Sequence, residues 1–336
     1  MRKMTIRVAV GVLLILLALM LPGSAIGRPS QLPPACQELA FSTEEEFLTQ
    51  GLETPDGNPV ISDGDLLSST ANGCVICARN AELLAGFGVP YDLGLDAADV
   101  IDAENALVVF STEIDSPEVG QFTAGDLLAT NGMVIANVAL TDLYEVGYDI
   151  GLDAVHFVGD PIQISGFVQE AATYTREDWL SDPGKLADLL EKPYDIDIWF
   201  SIEGTHNPVD MPIFLDGDLL SVRSGVIVPN GFLLPGTVPA GIPVRGVDFG
   251  LDAVTDARIP EGEQMYFSTE LLFRGEPSFS DGDILQAGNG VVAKNPELVG
   301  CFEPRAGELG LDALYMASDE GLDIDVYLPL ILRKFE

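Results

Sequence analysis

Four copies of one acidic pattern run through this chain, and that repetition limits the possible folds more than any other feature. Each copy reads aromatic-Ser-(Thr/Ile)-Glu, then Gly-Asp-(Leu/Ile)-Leu, then Gly-x-(Val/Ile), Asn-x-x-Leu and Gly-Leu-Asp-Ala. A pattern repeated at this length describes an array of similar units rather than a single irregular core. The anchors are Phe41, Phe110, Phe200 and Phe267, each followed by Ser and, three residues on, by Glu44, Glu113, Glu203 and Glu270. The second block carries Asp65, Asp126, Asp218 and Asp283, each preceded by Gly. Asp63, Asp216 and Asp281 precede that Gly in three copies, and Ala124 stands there in copy two. The third block holds Asn80, Asn137, Asn230 and Asn295. The last ends on Asp96, Asp153, Asp252 and Asp312, each with an acid four residues earlier: Asp92, Asp149, Asp248 and Glu308.

Local pattern turns these blocks into strands. Ala106–Phe110 is a continuous apolar run, and Ile196–Phe200 and Met265–Phe267 occupy the same place in their copies, as expected for strands buried on both faces. Asp-Leu-Leu begins a second strand from a turn. Gly73, Gly132, Gly225 and Gly290 mark a reversal into a third, and residues 153–158 suggest a fourth. The expected fold is all-β: a propeller-like array of four related four-stranded units. The units span about 36–105, 106–159, 195–260 and 261–316. Between the second and third lies an insertion, 160–194, whose stretches Thr175–Leu180 and Lys185–Lys192 have helical apolar spacing around Pro183-Gly184. Residues 322–327 resemble the start of the third unit, so an extra first strand is expected within the tail, 317–336.

Residues 1–27 read as a signal peptide: Arg2, Lys3 and Arg7, then the apolar run Val8–Leu21, then small residues ending at Gly27. The repeat domain is therefore 28–336, and secretion or cell-surface display is expected. No second apolar run is long enough for a transmembrane span. The net charge of −37 excludes nucleic acid and anionic lipid as partners and favours cations or basic groups.

The repeated acids are the candidate site. Calcium takes six to eight oxygens, and Asp-Gly-Asp offers two carboxylates on a flexible turn. The candidate calcium ligands are Asp63, Asp65, Asp126, Asp216, Asp218, Asp281 and Asp283, with Asp96, Asp153, Asp252 and Asp312. The competing reading is that Asp and Gly simply build turns. No copy matches an EF-hand loop.

Of four cysteines, Cys36 lies just before the first copy and Cys301 within the last; a disulfide between them would staple the ends of a ring, and four cysteines allow three connectivities. Cys74 and Cys77 lie on an expected strand, where residues three apart point to opposite faces. A zinc site needs two further ligands, and no second Cys-x-x-Cys occurs.

No catalytic residue can be assigned. His156 sits on an apolar strand, His206 in a loop, and Gly-x-Ser-x-Gly is absent. Repeated acids are poor catalytic candidates, because a catalytic site is normally built once. Glu170, Glu177 and Asp178 of the insertion break the repeat and are better ones, with Tyr174 and Trp179 as a binding platform or as packing.

The Phe-Ser-(Thr)-Glu and Gly-Leu-Asp-Ala blocks resemble those of a group of exported bacterial repeat proteins, over about residues 36–316. The end, Val326–Arg333, is similar to Tyr-Leu-Pro-Leu-x-Leu-Arg tails of secreted bacterial proteins. The resemblance implies export and no particular reaction. The expected function is non-catalytic binding, adhesion or surface structure, with an extracellular glycan or protein as partner. The rivals are a secreted carbohydrate hydrolase with its site near the insertion, and a calcium-stabilised surface scaffold.

Overall fold

The computed structural model describes residues 27, 29–50, 52–70, 73–206, 213–241, 246–259 and 262–317. Of the expected leader only Gly27 is among them, and the extra strand expected at 322–327 lies outside them. The described strands are β1 (Leu39–Phe41), β2 (Phe47–Leu48), β3 (Val60–Ile61), β4 (Leu66–Thr70), β5 (Gly73–Ala78), β6 (Ala98–Asp102), β7 (Leu107–Phe110), β8 (Leu127–Ala129) and β9 (Val134–Ile135). They continue with β10 (Ala154–Val158), β11 (Asp197–Ser201), β12 (Leu219–Ser221), β13 (Gly225–Val228), β14 (Ala253–Ile259), β15 (Gly262–Ser268), β16 (Ile284–Gln286), β17 (Gly290–Ala293) and β18 (Leu314–Met316).

The chain is all-β in its main architecture. Four antiparallel sheets have the orders β18-β1-β4-β5, β6-β7-β8-β9, β10-β11-β12-β13 and β14-β15-β16-β17, and β2 and β3 pair separately. These sheets are out of phase with the sequence units by one strand. The strand after Gly-Leu-Asp-Ala does not complete its own unit. It forms one edge of the next sheet, pairing with the Phe-Ser strand of the following copy, as Val155 does with Phe200 and Val254 with Phe267. The strand after the fourth copy, β18, pairs with β1 of the first, with Leu39 opposite Met316 and Phe41 opposite Leu314.

Strands β6, β10, β14 and β18 neighbour one another in cyclic order, β18 meeting β6 again. Four equivalent hydrogen bonds follow the same cycle. The Ser after each anchor Phe donates to the Leu carbonyl just before the next sheet: Ser42 to Leu95 at 3.3 Å, Ser111 to Leu152 at 2.9 Å, Ser201 to Leu251 at 2.5 Å and Ser268 to Leu311 at 3.0 Å. The core is likewise divided among the four gaps between successive sheets. Phe110, Phe200, Phe267 and Phe41 each fill one gap and are fully buried or nearly so. Sheets covered on both faces explain why the first strands read as unbroken apolar runs.

The insertion is helical, as expected, with one helix more than the two foreseen. Pro161–Ala171 starts where Asp160 accepts the amides of Ile162 and Gln163, Arg176–Ser181 starts from a Thr175/Asp178 capping box, and Lys185–Leu189 follows. Phe167, Val168, Trp179 and Leu186 join the core between the second and third sheets.

The expected Cys36–Cys301 disulfide is corrected. Cys36 bonds Cys77, and Cys74 bonds Cys301. The reason is the alternation of β5, which turns Cys77 toward the gap between the first and second sheets, where Cys36 lies. Cys74 faces the gap with the fourth sheet. The first sheet thus stands between Cys36 and Cys301. The first and last copies are still stapled, through Cys74–Cys301.

Candidate functional site

Each Gly-Leu-Asp-Ala loop is shaped by its glycine. Gly94, Gly151, Gly250 and Gly310 have φ of +74°, +84°, +68° and +66°, a conformation costly for other residues. A Cβ on any of them would also strike the side chain of Glu113, Glu203, Glu270 or Glu44, respectively. Each Glu of the Phe-Ser-x-Glu block therefore lies across the loop that carries the repeat's final Asp.

The buried asparagines hold these loops. Asn137 donates to Gly125 O at 2.9 Å and Gly151 O at 2.8 Å, and accepts from Ile150 N at 3.1 Å. Asn80 makes the same set with Gly64, Gly94 and Leu93, and Asn295 with Gly282, Gly310 and Leu309. Asn230 donates to Gly217 O at 3.2 Å, and its carbonyl oxygen has no partner among the described residues.

The candidate ligands separate into three groups. Asp65, Asp126, Asp218 and Asp283 are buried and bind backbone amides on both sides of the turn, as Asp126 does with Thr123 at 2.9 Å and Asn137 at 3.0 Å. Among the described residues, three of them also carry a cation: Arg79 on Asp65 at 2.5 Å, Arg176 on Asp126 at 2.5 Å and Lys294 on Asp283 at 2.7 Å. Arg79 and Lys294 directly precede the conserved-position asparagines of copies one and four. Ala136 stands there in copy two, and Arg176 of the insertion supplies the charge instead. These carboxylates are turn-builders, already occupied.

Asp63, Asp216 and Asp281 each accept the amide of the following glycine, at 2.9, 2.7 and 3.1 Å. They form a rim around the centre. Burial, and then Asp92, raises the pKa of Asp63. Asp248 is pushed up to about 8 by burial and by the neighbouring carboxylate of Asp216. In copy two, Ala124 and Asp149 border an open cleft of about 460 Å³, with Asp115, Tyr148 and Glu203.

Asp96, Asp153, Asp252 and Asp312 converge from the four sheets. One carboxylate oxygen of each is buried without a hydrogen-bond partner among the described residues. Asp153, Asp252 and Asp312 are only 7, 8 and 6 % exposed. Burial raises all four pKa values, Asp96 to about 8 and the others well above the carboxylate range. Mutual charge adds to it: Asp252 feels Asp312, Glu44, Asp153 and Glu270, and Asp312 feels Glu44, Asp96, Glu113 and Asp63. Glu44, Glu113 and Glu270 form an exposed outer tier, pushed up to about 7 by partial burial and by neighbouring acids, with Glu203 raised too. None of these eight forms an ion pair among the described residues. Oxygens of Glu44, Asp252 and Asp312 all lie within 4.8 Å of one another. The four glutamates were visible in the repeat but were not expected as site residues. Their common three-residue offset from the anchor Phe was the available signal.

Of the acids weighed for catalysis, Glu177 is exposed in the first turn of Arg176–Ser181, and the other two have partners. Glu170 accepts the hydroxyls of Tyr174 at 3.3 Å and Tyr194 at 2.6 Å, and Asp178 caps its helix through Thr175. Trp179 is buried and Tyr174 lies beneath Lys185 Nζ, 3.4 Å from its ring centre. His156 lies 3.3 Å from Asp99, and His206 stacks on Phe214. No known family, curated protein or solved structure matches the chain. No helix among the described residues is long and apolar enough to cross a membrane.

Proposed function

We propose that this protein is an exported, non-catalytic binding or structural module. Its four sheets act as the blades of a propeller-like ring, and the acidic face around the ring's centre binds cationic groups, including basic segments of an extracellular protein. The carrying observation is the convergence of eight carboxylates from four sheets on one centre, with no ion-pair partner among the described residues. A cluster of like charges of this density is unfavourable in isolation and is relieved by an arriving cation. Fourfold repetition also argues for binding, since equivalent groups around an axis suit an ion or a multivalent charge better than one directed reaction. Two disulfides and an apolar N-terminal segment support an oxidising, extracellular setting. The hydrolase reading is weaker, because Glu170 and Asp178 are engaged in holding the insertion together.

The test is capture of basic peptides, such as oligolysine, by the mature chain at low and physiological salt. The quadruple variant E44Q/E113Q/E203Q/E270Q is the comparison. Binding that weakens with salt and is lost in the variant supports the reading. Binding unaffected by the variant, or turnover of a glycan substrate, contradicts it.

A further inference from the structure

We propose that Glu44, Asp252 and Asp312 hold a calcium ion, faced by Asp96 and Asp153, that locks the first sheet to the fourth. The proposal rests on the acidic face described above and names the ion at its centre. Two observations carry it independently. The first is spacing: the three carboxylates bring oxygens within 4.8 Å of one another. Two oxygens on opposite sides of one calcium are separated by roughly 4.6–5.2 Å, twice the usual ligand distance. The second is the state of the buried oxygens. Asp252 and Asp312 are more than nine-tenths buried, and each keeps one oxygen with neither solvent nor a hydrogen-bond donor. Such atoms are expensive unless a ligand meets them. The set is all carboxylate, which suits a hard cation rather than zinc or copper. Backbone carbonyls and water can complete six to eight ligands, and calcium tolerates the irregular geometry that magnesium does not.

The position gives the ion a structural task. Asp252 leads into β14 of the fourth sheet, Asp312 into β18 of the first, and Glu44 follows β1, the partner of β18. These elements meet where the last copy returns to the first. Cys74–Cys301 joins the same two regions covalently. The seam between the first and last copies would therefore carry two locks, one covalent and one ionic.

The experiment titrates calcium into the chelator-treated mature protein by calorimetry and follows thermal unfolding. Variants Asp252→Asn and Asp312→Asn remove a ligand charge without changing shape, and Asp149→Asn removes a charge of the copy-two cleft, outside the trio. One strong site per chain is expected, with a midpoint raised by roughly 5 °C at calcium a hundredfold above its dissociation constant. Asp252→Asn and Asp312→Asn should weaken binding roughly tenfold or more, and Asp149→Asn hardly at all. In chelator both trio variants should melt no lower than the wild type, because each relieves repulsion; that also verifies folding. Absence of a calcium-dependent shift in the wild type overturns the proposal, whatever the variants do. So does equal weakening by all three substitutions, the mark of a diffuse field. If oligolysine still binds while calcium does not, the acidic face stands and the ion falls. If neither binds, both readings fall.

Discussion

Replacing Asn137 and Asn230 by alanine, one at a time, tests the loop clamp with the molecule as its own control. Both are buried, both start a short helix, and both occupy the same place in the repeat. Asn137 satisfies three main-chain groups, Gly125 O, Gly151 O and Ile150 N. Asn230 satisfies Gly217 O, and its own carbonyl oxygen is unpartnered. A buried backbone group left without a partner costs about 1–3 kcal/mol. Asn137→Ala should therefore cost at least about 3 kcal/mol, and Asn230→Ala about 1 kcal/mol, eased further by removal of the orphan oxygen. For a domain of this size the loss in melting temperature is roughly 6 °C against 2 °C. Denaturant unfolding should give the same ranking with an unchanged dependence on denaturant, since neither change alters how much surface unfolds. Equal destabilisation, or a larger loss at Asn230, would refute the claim that these asparagines act by bridging the acidic loops.

Gly310→Ala should destabilise by roughly 2–4 kcal/mol, from its positive φ and from contact of the new methyl with Glu44. Adding Glu44→Ala should recover the contact part only, leaving about 1 kcal/mol by thermal melting. In chelator, stability should fall as pH rises from about 5 to 8. Asp96 near 8 and Glu44, Glu113 and Glu270 near 7 hold protons in the folded chain that the unfolded chain has already released. Saturating calcium should flatten or reverse that slope, and a flat or rising profile in chelator would speak against the buried cluster. Removing Cys74–Cys301 should cost roughly 5 kcal/mol and removing Cys36–Cys77 roughly 4 kcal/mol, because the first closes a separation of 227 residues and the second one of 41. Paired serine variants compared by denaturant unfolding give the order.

The fourfold build was legible because it is written in letters. The anchor phenylalanines do share one environment, a gap between neighbouring sheets. The phase of the sheets was not legible. A cyclic array can be cut at any strand, and a repeated pattern carries no mark of which strand changes sheet. The helix Pro161–Ala171 was hidden by its proline and by Gly166, although proline is favoured in a first turn. The acids illustrate the limit most clearly. Asp65 and Asp312 look alike in sequence, yet Asp65 is consumed by Arg79 and two amides while Asp312 keeps a bare oxygen. Arg79 and Lys294, basic residues beside Asn80 and Asn295 in a chain of few cations, were the readable sign. The expected Cys36–Cys301 pairing failed because strand alternation separates Cys74 from Cys77 without telling which neighbour each face of β5 meets, and that depends on the order of the sheets.

Diffraction from crystals of the mature protein grown with calcium, collected for anomalous signal, tests the central claim most directly. The account predicts one peak within about 2.3–2.6 Å of oxygens from Glu44, Asp252 and Asp312, where the first and fourth sheets meet. A centre filled only by water, or a peak at Asp65, Asp126 or Asp283 in place of the bound arginine or lysine, would contradict it.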